Sequence, residues 1–445
     1  MTEQWRKGYN PLCPYGSELS DTTCASGEEG DKGLKMGKET RARILSGVRV
    51  LDITDVVTGP LCTRYLADCG CEVIAIERPS GKAARELPYT HNGLSVEYIT
   101  NHCGKKSIAI DLKAKGAREL VLELAKVCDV VVENFRPGVM TRFGLDYDSL
   151  KQANPSIIMC SITGYGQKGP YAKEMALDVI IQACRGIACM MGESGERPRF
   201  VSFAVTDILG ALNAFGAICA SLYRRSVTGE GEYIDIALAD CAVAVLGNQV
   251  ETHIFSGGKE EFRYMAGSFS GAVAPAGAFK GRDGYVAMFL ITDEEWKRLT
   301  ECMGRPELAV EPRFKTVEGR VKHREELAGM LDAWLQEFEQ VKDAVALLQY
   351  HGLVARPILS LAQALDEEQQ IKDREMLVNI EHPTLGTMTC VNTPLCFSNS
   401  RAGIEEPPPV AVGEHTEHIL REILSLGDGE IKKLRESGVV FGPGG

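Results

Sequence analysis

Positive charge is in short supply in this chain. Across 445 residues, 61 Asp and Glu outnumber 49 Lys and Arg, for a net charge of −12. No basic stripe is offered to nucleic acid or to an anionic membrane surface, so any anion must meet a local cluster of cations. Metal-ligand spacing is missing as well. The eight histidines form no HExxH, and the cysteines make no CxxC: Cys69 and Cys71 form only a CxC, and Cys184 and Cys189 stand five apart. No metal site is expected. The longest apolar run, 208–223, is interrupted by Asn213 and Ser221 and falls short of the roughly 20 residues a bilayer requires. No membrane span is expected. The opening MTEQWRKGYN lacks the apolar core of a secretory signal, and the 15 cysteines are irregularly spaced. Both point to a cytoplasmic protein whose thiols act as small buried hydrophobes.

What is present is enough apolar sequence, 44%, for two globular cores. Residues 1–45 are polar and without period, and read as a flexible extension. From Gly47 the pattern alternates. GVRVLDIT (47–54) and CEVIAIER (71–78) are strands around an amphipathic LCTRYLADCG, and KSIAIDLK, DVVVENF and SIIMCSITG continue the series with helical stretches between them. Such alternation predicts a mostly parallel sheet covered on both faces. A long apolar helix follows Asp207, then the strand YIDIAL and a further helix to about Phe255. The expected division is a large α/β domain over 46–255, a linker and small α+β domain over 256–384, and a C-terminal return over 385–445.

Motifs narrow the chemistry. The turn after the first strand, TDVVTGPLC, has no G-x-G-x-x-G, and neither a P-loop nor a G-x-S-x-G occurs in the chain. Gly59-Pro60 is either an anion-accepting helix start or a helix start alone. ENFRPG (133–138) ends a strand at the edge where open α/β sheets bind ligands. Asn134 and Arg136 there could grip phosphate or amide groups, or the segment could be a tight turn with a solvated arginine; Arg142 adds a second cation. TGYGQKGPYAK (163–173) carries the same ambiguity. Asp207, ahead of ILGAL, reads either as an N-cap or as a carboxylate nucleophile toward an activated acyl group.

Taken in order, GVRVLDIT, GPLCTRYLADCGCEVIAIERPSG, NHCGKKSIAIDLK, VVENFRPGVMTRFGLDYDSL, ITGYGQKGPYA, AVTDILGAL, TGEGEYIDIAL and GEHTEHIL resemble the class III CoA-transferases, a family that also holds the α-methylacyl-CoA racemases. The resemblance runs from about Gly47 to Val440. It implies a Rossmann-like large domain, a smaller second domain and an interlocked homodimer. It also implies transfer of CoA from an acyl-CoA to a free carboxylic acid, with Asp207 as the nucleophile passing through an aspartyl mixed anhydride and an aspartyl-CoA thioester. No tightly bound cofactor is implied, coenzyme A being substrate. CoA contacts carry over onto Val57, Thr58, Arg78, Ile110 to Lys113, Asn134, Phe135, Arg136 and Arg142, with Lys173 in a loop whose basic residue shifts between subfamilies. Asp178 becomes a supporting acid. Racemases carry a histidine directly before that acid, to place acid and base on opposite faces of the α-carbon, whereas this chain has Leu177. The glycine run of formyl-CoA transferases is replaced by AGSFSGAVAPAG (266–277). A racemase or isomerase using another acid, and a non-catalytic acyl-CoA-binding protein, stand as the alternatives.

Overall fold

The computed structural model describes residues 41–443, apart from 193, 194, 196, 260–264 and 266. Most of the extension expected over 1–45 therefore lies outside the described residues. So does part of the stretch 256–277.

Alternating β-rich and amphipathic segments fold into the strands and helices they predict. In chain order these are β1 (Arg49–Ile53), α1 (Thr58–Asp68), β2 (Glu72–Glu77), β3 (Lys105–Ile110), α2 (Ala117–Lys126), β4 (Val130–Glu133), β5 (Ile158–Thr163), α3 (Asp178–Cys184), α4 (Val205–Thr228) and β6 (Glu232–Ala237). The strands lie in the order β3-β2-β1-β4-β5-β6, all parallel, and Val440–Phe441 closes the β3 edge antiparallel. This is the doubly wound Rossmann order, which reverses between β1 and β4 and opens a crevice at their carboxyl ends.

Alternate side chains supply the two faces. Leu51, Ile53, Ile74, Ile108 and Val131 pack under α2 and the C-terminal residues Ile419, Leu420 and Ile431. Val50, Val73, Val130, Val132, Ile158 and Cys160 pack under Cys62 and Leu66 of α1 and Ala211, Ala214 and Ile218 of α4. Most described cysteines are buried free thiols; Cys184, Cys189 and Cys396 are exposed. The helix expected from Ala239 to Phe255 is split into Leu238–Val245 and Gly247–Phe255.

The apolar run at 208–223 understates its helix. α4 continues to Thr228, 24 residues in all, and by length and composition it is long enough to cross a membrane. The expectation of no span rested on the shorter run, so it does not exclude this helix.

The chain divides into two compact units, Phe262–Ala362 and a larger one made of Lys38–Glu261 with Gln363–Gly445. The smaller unit holds a three-stranded antiparallel sheet (Ala276–Lys280, Tyr285–Phe289, Ala355–Ile358) and the helices Asp293–Cys302, Arg324–Leu335 and Val341–Tyr350. Its core centres on Trp296, Leu299, Phe314 and Leu331. Residues 363–384, placed with the small domain from sequence, cluster with the larger unit instead. The reason is apolar: the hairpin Leu377–His382/Gly386–Val391 buries Ile380, Leu385, Met388 and Cys390 against Leu94, Tyr98, Ile99 and Cys103.

Leu124 is fully buried under the sheet. Leu124→Ala is expected to destabilise the larger unit by about 2–5 kcal/mol, read as a lowered midpoint in chemical denaturation.

Candidate active site

Parallel strands bring their following loops to one edge, and the site assembles there. The turn after β1 is clamped to the loop after β4. Asn134 accepts the Asp55 N–H (2.9 Å) through its side-chain oxygen, and its amide nitrogen donates to the Asp55 carbonyl (2.8 Å). Asp55 in turn accepts the backbone N–H of Ala83, from the loop after β2, at 3.0 Å. Three loops are thereby fixed around the crevice.

Beneath them sits a carboxylate with no exposure at all, Asp52. It accepts Thr54 N–H (2.9 Å), Thr54 Oγ1 (2.5 Å) and Thr63 Oγ1 (2.8 Å), and forms ion pairs with Lys105 (3.0 Å) and Lys82 (3.4 Å). Burial works to raise its pKa, but the two ammonium groups prevail and hold it well below the carboxylate range. Lys105, wholly buried, is pushed down to about 8 by desolvation against the pull of Asp52.

Asp207 does not cap its helix, contrary to the simplest reading of the sequence. α4 starts at Val205, its N-cap is Ala204, and Asp207 is the third helical residue. The cap is supplied from elsewhere: Asp178 Oδ1 accepts both the N–H and the Oγ1–H of Thr206, each at 2.7 Å, while its Oδ2 accepts from Gln182 (2.6 Å). Asp178 is thus a positioning residue whose two oxygens are already occupied.

The Asp207 carboxylate is half-buried, and Thr58 Oγ1 donates to its Oδ1. Among the described residues Oδ2 accepts no hydrogen bond. Burial pushes the carboxyl up to about 6, the Thr58 bond pulls it back, and Asp178 and Glu97 push it up again. The first turn of α4 favours the ionised form. Close approach makes the Thr58 bond possible, because a Cβ on Gly210, one turn along, would stand 2.3 Å from Leu238 Cδ2 and 3.0 Å from Thr58 Cγ2.

The remaining residues singled out from sequence share the edge without touching Asp207. Val57 precedes α1, Arg78 follows β2 and donates to the Gly81 carbonyl (2.6 Å), and Lys113 follows β3. Phe135 packs into the core below. Arg136 lines a cavity of about 350 Å³ with Glu133, Ser161, Gln167 and Tyr233, where burial pushes Glu133 up to about 7. Arg142 lies in the short helix Val139–Phe143, and Lys173 in the loop before α3. Arg78, Lys113, Arg136, Arg142 and Lys173 are exposed and form no ion pair with a described residue, so the edge gathers cations in an acidic protein. Residues 164–169 do spell G-x-G-x-x-G, a spacing the first turn lacks, but no helix starts behind it before Asp178. Sequence reasoning missed Asp52, Lys82, Glu97 and Gly210. A charged residue inside the apolar strand GVRVLDIT was the available signal for the first of these.

Residues 45–416 match the model of CoA-transferase family III. The chain belongs to that family. It is 36% identical over 420 residues to succinyl-CoA:glutarate CoA-transferase of Mus musculus, covering 93% of this chain and 95% of the relative. It is 33% identical over 391 residues to succinate–glutarate CoA-transferase of Agrobacterium fabrum, covering 86% of this chain and 96% of the relative. Among solved structures, a CaiB/BaiF family protein from Brucella suis superposes with a TM-score of 0.77 at 32% identity, over 86% of this chain and 100% of that one. The chain is therefore an enzyme, a class III CoA-transferase.

Any nucleophilic role of Asp207 requires its ionised form, so acyl-enzyme formation there is expected to fall as pH drops through about 6. Thr58→Val removes the bond that favours the ionised carboxylate and should move this acid limb to higher pH. Single-turnover acylation measured from pH 5 to 8 checks both outcomes.

Proposed function

We propose that this transferase moves CoA between carboxylic acids through covalent intermediates on Asp207. The observation that supports the reading best is a half-buried carboxylate with one oxygen held by Thr58 and the other open, at a helix start beside the crevice. Attack of Oδ2 on the thioester carbonyl expels CoA thiolate and leaves an aspartyl mixed anhydride. The thiolate then attacks the aspartyl carbonyl, releasing the donor acid and forming an aspartyl-CoA thioester. The acceptor carboxylate displaces CoA from it, and the thiolate takes the acceptor acyl group from the new anhydride, freeing Asp207.

Val57, Thr58, Arg78, the segment from Ile110 to Lys113, Asn134 to Arg136, Arg142 and Lys173 are the proposed CoA contacts. Unpaired cations and the open N–H groups of α1 suit the phosphates of CoA. No tightly bound cofactor enters the scheme. The names of the mouse and Agrobacterium relatives make succinyl-CoA and glutarate the first donor and acceptor to test. The homodimer is proposed on a separate ground: only 28% of the most apolar window of α4 is buried within this chain, and Leu212, Tyr223 and Val227 on it are exposed. A second copy would cover that face.

Racemisation finds less support. Leu177 cannot carry a proton, and Asp178 already accepts three hydrogen bonds. Incubation with succinyl-CoA followed by hydroxylamine should yield a hydroxamate at Asp207, located by peptide mass spectrometry. Asp207→Ala should lose that adduct and cut transfer by about a thousandfold or more. Full transfer by the alanine variant would overturn the scheme and leave a binding protein or another nucleophile.

A further inference from the structure

The turn that presents Thr58 is anchored from below at both ends by lysines. Lys82 Nζ donates to the Thr54 carbonyl (2.6 Å), at the start of the turn. Lys105 Nζ donates to the Pro60 carbonyl (2.8 Å), past its end, and to Thr63 Oγ1 (2.7 Å). Both ammonium groups converge on Asp52. Between the two anchors Gly59 lies so close to Thr54 that a Cβ on it would stand 2.4 Å from Thr54 Cβ. The segment from Thr54 to Pro60 is therefore held at its ends and pressed together in its middle, and Thr58 is the residue it offers to Asp207.

We propose that Lys82 and Lys105 are positioning residues of the transfer reaction, which pin the Thr54 and Pro60 carbonyls to Asp52 and so fix the Thr58 hydroxyl that holds the nucleophile. The inference rests on Asp207 being that nucleophile. Neither lysine touches the crevice: Lys82 and Lys105 are 2% exposed, so their effect has to pass through the turn. The charge count explains why two are present without being required for balance. Asp52 faces two ammonium groups, the buried Glu77 carboxylate near Lys82 is already paired with Arg85, and the neighbouring His102, fully buried, is pushed well below its ordinary pKa by desolvation. Loss of Lys82 leaves Asp52 paired with Lys105 and bonded to Thr54 and Thr63. The fold survives such a loss more readily than the geometry of the turn does.

A double-mutant cycle on the full-length enzyme tests this. Lys82→Met and Thr58→Val are each expected to slow formation of the trapped acyl-enzyme about tenfold, with KM for acyl-CoA changed less than about twofold. Because both act through one hydroxyl, the double variant should be no more than about twofold slower than the slower single variant. Multiplying effects, or an unimpaired Lys82→Met enzyme, would overturn the inference. If Lys82→Met fails to fold, Lys82→Ala, which likewise removes the donor to the Thr54 carbonyl, carries the same cycle under the same criteria. The two failures are distinguishable. A slow Thr58→Val beside a normal Lys82 variant removes only this inference, whereas an active Asp207→Ala removes the mechanism it serves.

Discussion

A carboxylate withdrawn completely from water has to be matched inside the protein, and the matching of Asp52 organises everything around the site. Its partners come from the residue that follows β1, from α1, from β3 and from the loop after β2. Thr63, Lys105 and Lys82 each have a second attachment, and those attachments fall at the two ends of the turn, on Thr54 and on the first turn of α1. The desolvation of one charge is thus offset by bonds that also define where a helix begins. A network of this kind is stiff because every member is satisfied, and stiffness suits the proposed nucleophile, a carboxylate with a single hydrogen-bond donor.

The two acidic residues at the start of α4 divide the work. Asp178 takes the helix N–H and the Thr206 hydroxyl, so the cap is made by a residue from another element. Asp207 is left free of capping and keeps one oxygen open. At Asp207 burial, and after it the nearby Asp178 and Glu97, favour the protonated acid, and the Thr58 bond and helix start favour the anion. The balance leaves a carboxylate more basic than an ordinary aspartate and still ionised near neutrality.

Much of the architecture was legible in the sequence. Alternating apolar strands and amphipathic helices up to residue 240 are a local signal, and the observed strands fall close to the runs GVRVLDIT, EVIAIE and SIIMCSIT. The hairpin around HPTLG was legible for the same reason, but its allegiance was not. Ile380 and Met388 pack against Tyr98 and Ile99, nearly three hundred residues away in sequence, and no local pattern announces that contact. Nor does a glycine such as Gly210 declare, in a helix rich in small residues, that Leu238 and Thr58 leave no room for a side chain.

By itself the sequence determined the alternation of strands and helices in a mostly parallel sheet, the loops at strand ends that would carry ligands and, through the order of its motifs, the choice of the carboxylate at residue 207, because periodicity and motif order are properties of the chain. Only the tertiary structure decided that Asp207 is held by Thr58 while Asp178 does the capping, and that Asp52 and two lysines brace the turn between them. Those roles depend on distances between groups far apart along the chain, and burial alone turns such distances into shifted pKa values and fixed geometry.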